Sequence, residues 1–143
     1  IPRTETTMAI ERENIFPAQL SKRKVGGHVL YAPVVCVTPG RLVLVSGLLA
    51  RNSAGEIVGK GDMGAQIRQV GENLKTALAA AGAGLGDLVR TQTFTTDIDA
   101  FFQHADVRME YFGALPTSTT VEVRRLSHPD FLVEVEAMAV IAS

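Results

Sequence analysis

The sequence predicts an α+β fold, a mixed β-sheet with two helices packed on one of its faces. Apolar residues repeat with helical spacing in only two segments, 65–81 and 98–112. The other apolar segments alternate or run continuously, as strands do, so the predicted order is strand, strand, helix, strand, helix, strand, strand. A length of 143 residues, 46% of them hydrophobic, suits one core. We therefore expect a single domain at residues 21–143, preceded by an N-terminal tail at residues 1–20.

The first two strands are predicted on either side of a turn at Pro39 and Gly40. Residues 41–47 form a continuous apolar run with β-branched members, and a glycine ends it. Residues 34–38 precede the turn and are predicted to pair with that run. A further short strand is predicted near residues 56–60. Because the run is apolar on both of its faces, both faces need to be covered.

The two helices follow from their apolar stripes. The first stripe ends just before Gly82, which suits the left-handed residue that follows many helices. The second helix can be capped at its start by Asp97 or Asp99. The apolar positions of the first are Ile67, Val70, Leu74, Ala77, Leu78 and Ala81, and those of the second are Ile98, Phe101, Ala105, Met109 and Phe112.

Three more strands are predicted, and the last two are expected to form a hairpin. Residues 88–96 lie between the helices and are rich in threonine. Residues 119–125 and 131–141 are separated by the turn-forming residues 127–130. One face of the last strand is apolar, whereas the other mixes carboxylates such as Glu134 with apolar side chains. A purely solvated face would not have that composition.

The number of helices predicts self-association. Two helices cover only one face of a sheet of this size, yet the run at 41–47 and the last strand carry apolar groups on both faces. A homo-oligomer that packs the open faces against one another resolves this conflict. We therefore expect several copies of the chain to assemble.

Net charge and cysteine content narrow the possible functions. Fourteen Lys and Arg against fifteen Asp and Glu give a net charge of −1, which disfavours nucleic acid as a partner. The one cysteine, Cys36, forms no internal disulfide and is expected to be a small buried residue in a reducing, cytoplasmic setting. No apolar run approaches the ~20 residues of a membrane-spanning helix, and residues 1–7 lack the apolar region of a signal peptide.

The sequence contains no metal or nucleotide motif. His28, His104 and His128 are isolated from one another and from any cysteine pair, so no zinc site is expected. The glycine-rich phosphate-binding patterns do not occur, and the glycines within 82–86 end a helix rather than begin one. We expect chemistry that needs neither a metal nor a cofactor.

A small group of residues near strand ends forms the candidate site. It comprises Gly47, Ser118, Thr120 and Glu134 on or beside strands, and Arg51 in the loop after the first long strand. Glu134 lies among apolar neighbours, where desolvation raises a carboxyl pKa and suits the group to proton transfer. The alternative for Glu134 is a structural ion pair with Arg124 or with a base on another strand.

Several segments carry a family resemblance in the right order and spacing. They are Val45-Ser46-Gly47, the helix part from Glu72 to Gly82, Thr93-Phe94 with Asp97, Phe101, and the stretches 121–126 and 133–139. Over about residues 25–142 the chain resembles the Rid (reactive intermediate deaminase) family, also called YjgF or endoribonuclease L-PSP-like.

The resemblance implies a fold, an assembly and an activity. The fold is a chorismate-mutase-like sheet, and three copies form a central barrel with the helices outside and three ligand clefts between subunits. Family members hydrolyse enamines and imines to a keto acid and ammonia without a bound cofactor. Glu134 matches the family glutamate near the attacking water, and Tyr31, Gly47 and Thr120 fall among the substrate-binding positions.

The chain departs from the family pattern at a position that decides substrate binding. Typical members of the family it resembles carry an arginine two residues after the proline before the fourth long strand, where it holds the substrate carboxylate. Here Ser118 follows Pro116 at that spacing, and its hydroxyl cannot form a bidentate charge-assisted pair. Little activity on 2-iminopropionate or 2-aminoacrylate is therefore expected, and Ser118→Arg should raise it. Ala105 and Leu48 likewise replace a family asparagine and glutamine.

The 2-aminomuconate deaminases, another branch of the family, offer a second comparison. They resemble this chain in Ser46-Gly47 followed by Arg51, and in His128-Pro129 before the last strand. Arg51 then either supplies the missing positive charge from another wall of the site or is a surface loop residue. The sequence leaves both readings open.

Two functional hypotheses follow. The chain is either a hydrolase of a small enamine, imine or amino-muconate, or a non-catalytic trimer that binds small molecules in the same clefts. Ribonuclease activity is disfavoured by the net charge, the absence of tryptophan and the lack of a histidine pair. The expected partners are a small molecule and further copies of the chain, with no nucleic acid and no membrane.

Overall fold

The computed structural model describes residues 10–38 and 40–143. The strands in chain order are β1 Arg12–Ile15, β2 Lys24–Val25, β3 His28–Val29, β4 Val34–Val37, β5 Arg41–Leu48, β6 Leu88–Thr95, β7 Thr117–Glu122 and β8 Val133–Ile141. The helices are α1 Met63–Ala80, α2 Ile98–Gln103 and α3 Ala105–Tyr111, with a 3₁₀ turn at Leu85–Asp87. Pro39, from the predicted turn, and residues 1–7 lie outside the described residues. Among the described residues, no helix has both the length and the apolar character needed to cross a bilayer.

The main sheet is mixed, with the strand order β5-β8-β6-β7. Strand β8 runs antiparallel to both β5 and β6, whereas β7 runs parallel to β6. The predicted hairpin between the last two strands is therefore wrong. Parallel strands need a crossover connection, and α2 and α3 supply it between β6 and β7. This crossover carries β7 to the edge of the sheet and leaves β8 to fill the gap between β5 and β6.

The predicted pairing of the first two strands is also wrong. Strand β4 pairs with β1, with Arg12 opposite Val37 and Ile15 opposite Val34, while β5 pairs with β8. Residues 12–15 thus belong to the fold, although the sequence placed them in the tail. The Arg12 guanidinium holds this strand to the domain, since it donates to the carbonyls of Gly86, Leu88 and Ala114.

Helix α1 is confirmed close to its predicted bounds. Asp62 caps it, its side chain accepting a hydrogen bond from the Ala65 backbone N–H at 3.0 Å. Gly82 follows the helix with a φ of +77°, as its position predicts. The buried residues include Ile67, Val70, Leu74 and Leu78 of the predicted stripe. This stripe packs on β5 and β8.

The second predicted helix is two helices, α2 and α3, separated at His104. Asp97 caps the first, accepting from the Ala100 N–H at 3.0 Å. The His104 N–H bonds to the Phe101 carbonyl three residues back, and this tighter turn ends the first helix. On α3 the buried residues are Ala105, Arg108 and Tyr111, so Arg108 rather than Met109 lies on the inner face.

The two faces of the main sheet differ as predicted. Val133, Val135, Ala137 and Ala139 of β8 are buried on the face that α1 covers. On the other face Leu42 is 59% exposed and Leu44 is 65% exposed. The described part of a single copy places no helix on that face.

Two smaller expectations differ from the structure. Cys36 is exposed rather than buried, because it lies on β4, one strand of a two-stranded sheet outside the main core. The short strand predicted at 56–60 is reduced to one isolated bridge between Arg51 and Ile57.

Candidate functional site

A cavity of about 220 Å³ opens between the β7 edge of the main sheet and helices α2 and α3. Three residues that the family resemblance assigned to substrate binding, Tyr31, Ser118 and Thr120, line it. Arg108 and Arg23 line it as well, and neither was predicted as a site residue. We call this space the Ser118 cavity.

Arg108 is almost completely buried at the base of this cavity, with 4% of its surface exposed. Its Nη2 donates to the Ser118 Oγ at 3.0 Å and to the Leu30 carbonyl at 3.4 Å. Its Nε is buried and has no hydrogen-bond partner within the described residues. Burial, with a smaller repulsion from Arg23, lowers the pKa of Arg108 to about 10, so the group is protonated at neutral pH.

The spacing of residues in the sequence does mark Arg108, although the predicted apolar stripe of the second helix did not include it. Arg108 follows Ala105 by three residues and precedes Phe112 by four, so it shares their face of the helix. A charged residue on an apolar stripe is unusual enough to mark a candidate site. Arg23 offered no comparable signal, since it lies in a short basic run. Its guanidinium stacks over the Phe102 ring at 4.8 Å.

Glu134 lies on β8, where it contacts Gly47 of β5. The two strands shift register between Val45 and Leu48, and a Cβ at Gly47 would overlap the Glu134 carboxylate. Burial, with a smaller repulsion from Glu136, raises the pKa of Glu134. Within residues 10–38 and 40–143, no base lies within salt-bridge distance of Glu134, so the alternative of an ion pair with Arg124 has no support there.

Arg51 lies at a different place from the Ser118 cavity. Its guanidinium stacks over the Phe131 ring at 4.7 Å, and Nη1 donates to the Gly55 carbonyl at 3.0 Å. Together with Gly47 it lines an open groove beside β5. Arg51 therefore does not supply the positive charge next to Ser118 within one copy of the chain.

The candidate residues fall into two groups on opposite faces of the main sheet. Ser118 lies opposite Thr91 and Thr120 opposite Thr93, in the rows that α1 and α3 cover. Glu134 lies opposite Phe94, and successive residues of a strand point to alternate faces. One copy of the chain therefore does not bring Glu134 to the Ser118 cavity.

Comparison with known proteins gives a consistent result. A model of the family described as endoribonuclease L-PSP matches residues 26–141. A RutC family protein of Pyrococcus horikoshii is 39% identical over 105 residues, covering 72% of this chain and 82% of that protein. A 2-iminobutanoate/2-iminopropanoate deaminase of Escherichia coli is 34% identical over 106 residues, covering 71% of this chain and 80% of that protein.

A solved structure agrees with these sequence comparisons. It is the crystal structure of YyfB from Yersinia pestis, described as a protein of unknown function of the conserved Rid protein family. The match has a TM-score of 0.78 at 31% identity, and it covers 91% of this chain and 98% of that one. The similarity thus extends over nearly the whole fold described above.

Proposed function

Because the chain belongs to the endoribonuclease L-PSP family of Rid and YjgF proteins, we propose that it hydrolyses a small enamine or imine and releases ammonia. One observation carries the proposal. Glu134 is a partly buried carboxylate with a raised pKa, no cation in contact within the described residues, and a glycine beside it whose missing side chain leaves the space that the carboxylate occupies. The similarity to a 2-iminobutanoate/2-iminopropanoate deaminase supports the same reaction class.

The reaction needs one water molecule and two proton transfers. Glu134 takes a proton from the water while the water oxygen forms a bond to the C=N carbon, and the nitrogen gains a proton. The hydroxyl proton of the resulting amino alcohol passes to the nitrogen, the C–N bond breaks with its electron pair on nitrogen, and a carbonyl compound and ammonia are released. An enamine first gains a proton at carbon and loses one from nitrogen to become the imine. A raised pKa makes Glu134 a stronger base than an ordinary carboxylate at neutral pH.

The proposal includes a homotrimer in which neighbouring copies complete each site. The open face of the main sheet carries Leu42 and Leu44, which is typical of a surface that packs against another protein. Glu134 and the Ser118 cavity lie on opposite faces, so a second copy is needed to bring a glutamate to each cavity. A chorismate-mutase-like barrel with the helices outside satisfies both requirements.

Ammonia release from a panel of enamines, imines and 2-aminomuconate tests this function. Glu134→Gln should keep the oligomer and lose about 10²–10⁴ in turnover, the usual contribution of a positioned base. Glu72→Gln is the matched control, because Glu72 is exposed on α1 and pairs only with Lys75 among the described ion pairs.

The result can contradict the proposal in two ways. Unchanged turnover in Glu134→Gln would make Glu134 a structural residue. Binding of panel members without ammonia release would favour the second hypothesis, a non-catalytic trimer that binds small molecules.

A further inference from the structure

The lining of the Ser118 cavity carries positive charge and no negative charge. Arg108 and Arg23 both line it, and no carboxylate does. In the described parts of the chain, neither arginine lies within salt-bridge distance of an acidic group. Removing a cation from water without a counter-charge is strongly unfavourable. The cavity is therefore set up to receive an anion.

Arg108 also lacks hydrogen-bond acceptors. A guanidinium has five N–H donors, and the two on Nη2 bond to Ser118 and Leu30. The other three, on Nε and Nη1, have no acceptor within residues 10–38 and 40–143. The free donors on Nε and Nη1 point to different sides of the guanidinium and do not form a parallel pair, so a carboxylate would accept a charge-assisted hydrogen bond from Nη1. A carboxylate in the cavity would supply an acceptor that the protein does not.

We propose that Arg108, reaching in from α3, binds the carboxylate of a small 2-imino acid. This inference rests on the proposed function, since it takes the Ser118 cavity to be the substrate side of the site. Arg23 adds a second positive charge at the cavity wall. Phe102 and Ile98 form apolar parts of the lining, and a short apolar substituent of the ligand can pack there.

Ser118 makes this arrangement possible. Its Oγ accepts a hydrogen bond from Arg108 and so holds the guanidinium in place, while its own O–H is free to donate to a ligand. An arginine at position 118 would meet the Arg108 guanidinium in the same space. The volume of about 220 Å³ is below the ~300–1,000 Å³ of pockets for drug-sized molecules, so the ligand is small.

Calorimetric titration with 2-oxobutanoate and with neutral 2-oxobutanamide tests the assignment. Unmodified protein should bind the acid about tenfold to a hundredfold more tightly than the amide, as a charge-assisted hydrogen bond predicts. Arg108→Met should abolish that preference. Arg68→Met should keep it, because Arg68 is exposed and pairs with Glu110 outside the cavity. Equal affinity of the unmodified protein for acid and amide would overturn the proposal.

Thermal unfolding without ligand separates binding from a structural role. Because Arg108 is a buried cation without an anionic partner, Arg108→Met should leave Tm unchanged or raise it. A large fall in Tm would indicate that Arg108 is a structural residue and would count against the proposal. The double variant Arg108→Met/Ser118→Arg then decides, because an arginine at position 118 should restore the preference for the acid. If the double variant folds and shows no such preference, the proposal is overturned. Ser118→Arg alone should gain nothing, contrary to the expectation from the sequence, since its guanidinium would face Arg108.

Binding does not require turnover, so this inference and the proposed function fail in different ways. Glu134→Gln should retain the preference for the acid while losing ammonia release. Preference for the acid without any ammonia release would support the role of Arg108 and reject the hydrolase. Ammonia release from 2-imino acids that Arg108→Met leaves unchanged would reject the role of Arg108 and support the hydrolase.

Discussion

At the scale of single residues, the pKa of Glu134 is raised by two separable causes. Burial is the larger, and repulsion from Glu136 two residues along the same strand is the smaller. Both disfavour the charged form of the carboxyl group. A general base works only when it is deprotonated, so activity should fall as pH drops through the pKa of Glu134.

Glu136→Gln should move the acidic limb of the kcat/KM profile to lower pH. The substitution removes the repulsion and lowers the pKa of Glu134, so the base stays active in more acidic solution. The limb should remain above the range of ordinary glutamates, because burial is unchanged. A pH series on the unmodified protein, Glu136→Gln and the control Glu72→Gln checks this. A limb that stays in place, or moves to higher pH, contradicts the role of Glu134 as the base.

Arg108 and Ser118 show a second effect at the scale of single residues. The family pattern has its arginine at position 118 on β7, whereas this chain has an arginine at position 108 on α3. The sequence indicated that a serine at position 118 removes positive charge from the cleft. In the structure a guanidinium reaches the same place from a different element. The expectation of weak activity on amino-acid-derived imines therefore depended on one position, whereas the cavity has contributions from several.

At the scale of elements, the crossover between β6 and β7 positions the cavity. A connection between parallel strands must pass over one face of the sheet, and here α2 and α3 make that passage. Helix α3 therefore lies over the start of β7, and its inner face holds Arg108 beside Ser118. The approach of α3 to α1 depends on Gly71, where a Cβ would come within 2.5 Å of the Tyr111 ring.

Gly71→Ala should destabilise the fold, although alanine favours helices more than glycine does. The helix preference contributes roughly 0.5–1 kcal/mol in favour of alanine, whereas forcing a methyl group into a packed contact costs about 1–3 kcal/mol. Urea unfolding should show a net loss of stability. Gly86→Ala is the control, because a Cβ there meets nothing within 4 Å. If Gly71→Ala is as stable as the unmodified protein or more stable, the prediction is contradicted, and α3 can shift away from α1 at little cost in free energy.

At the scale of the whole molecule, the open sheet face connects stability to function. Each copy covers one face of its main sheet with helices and leaves Leu42 and Leu44 largely exposed on the other. The same face carries Glu134. Self-association through this face would bury the apolar residues and bring each glutamate close to a neighbouring subunit.

Leu44→Glu should convert the expected trimer into monomers of 15.3 kDa without unfolding them. A carboxylate forced into an apolar interface without a partner is strongly unfavourable. Leu20→Glu is the control, since Leu20 is 56% exposed in a turn that follows β1 and is not a residue of the main sheet. Light scattering with circular dichroism measures both properties. A monomeric unmodified protein at micromolar concentration, or a trimeric Leu44→Glu, would reject assembly through this face.

The sequence by itself determined the elements and their buried sides. Helix α1, strands β5, β6 and β8, and the alternation along β8 follow from hydrophobic period and capping, which depend on residues close together in the chain. The partly desolvated setting of Glu134 followed from the same alternation. The tertiary structure alone decided the partners: β1 with β4, β8 between β5 and β6, and Arg108 with Ser118. Strand pairing and side-chain meeting depend on crossovers between distant segments, and no local pattern encodes which edges those crossovers bring together.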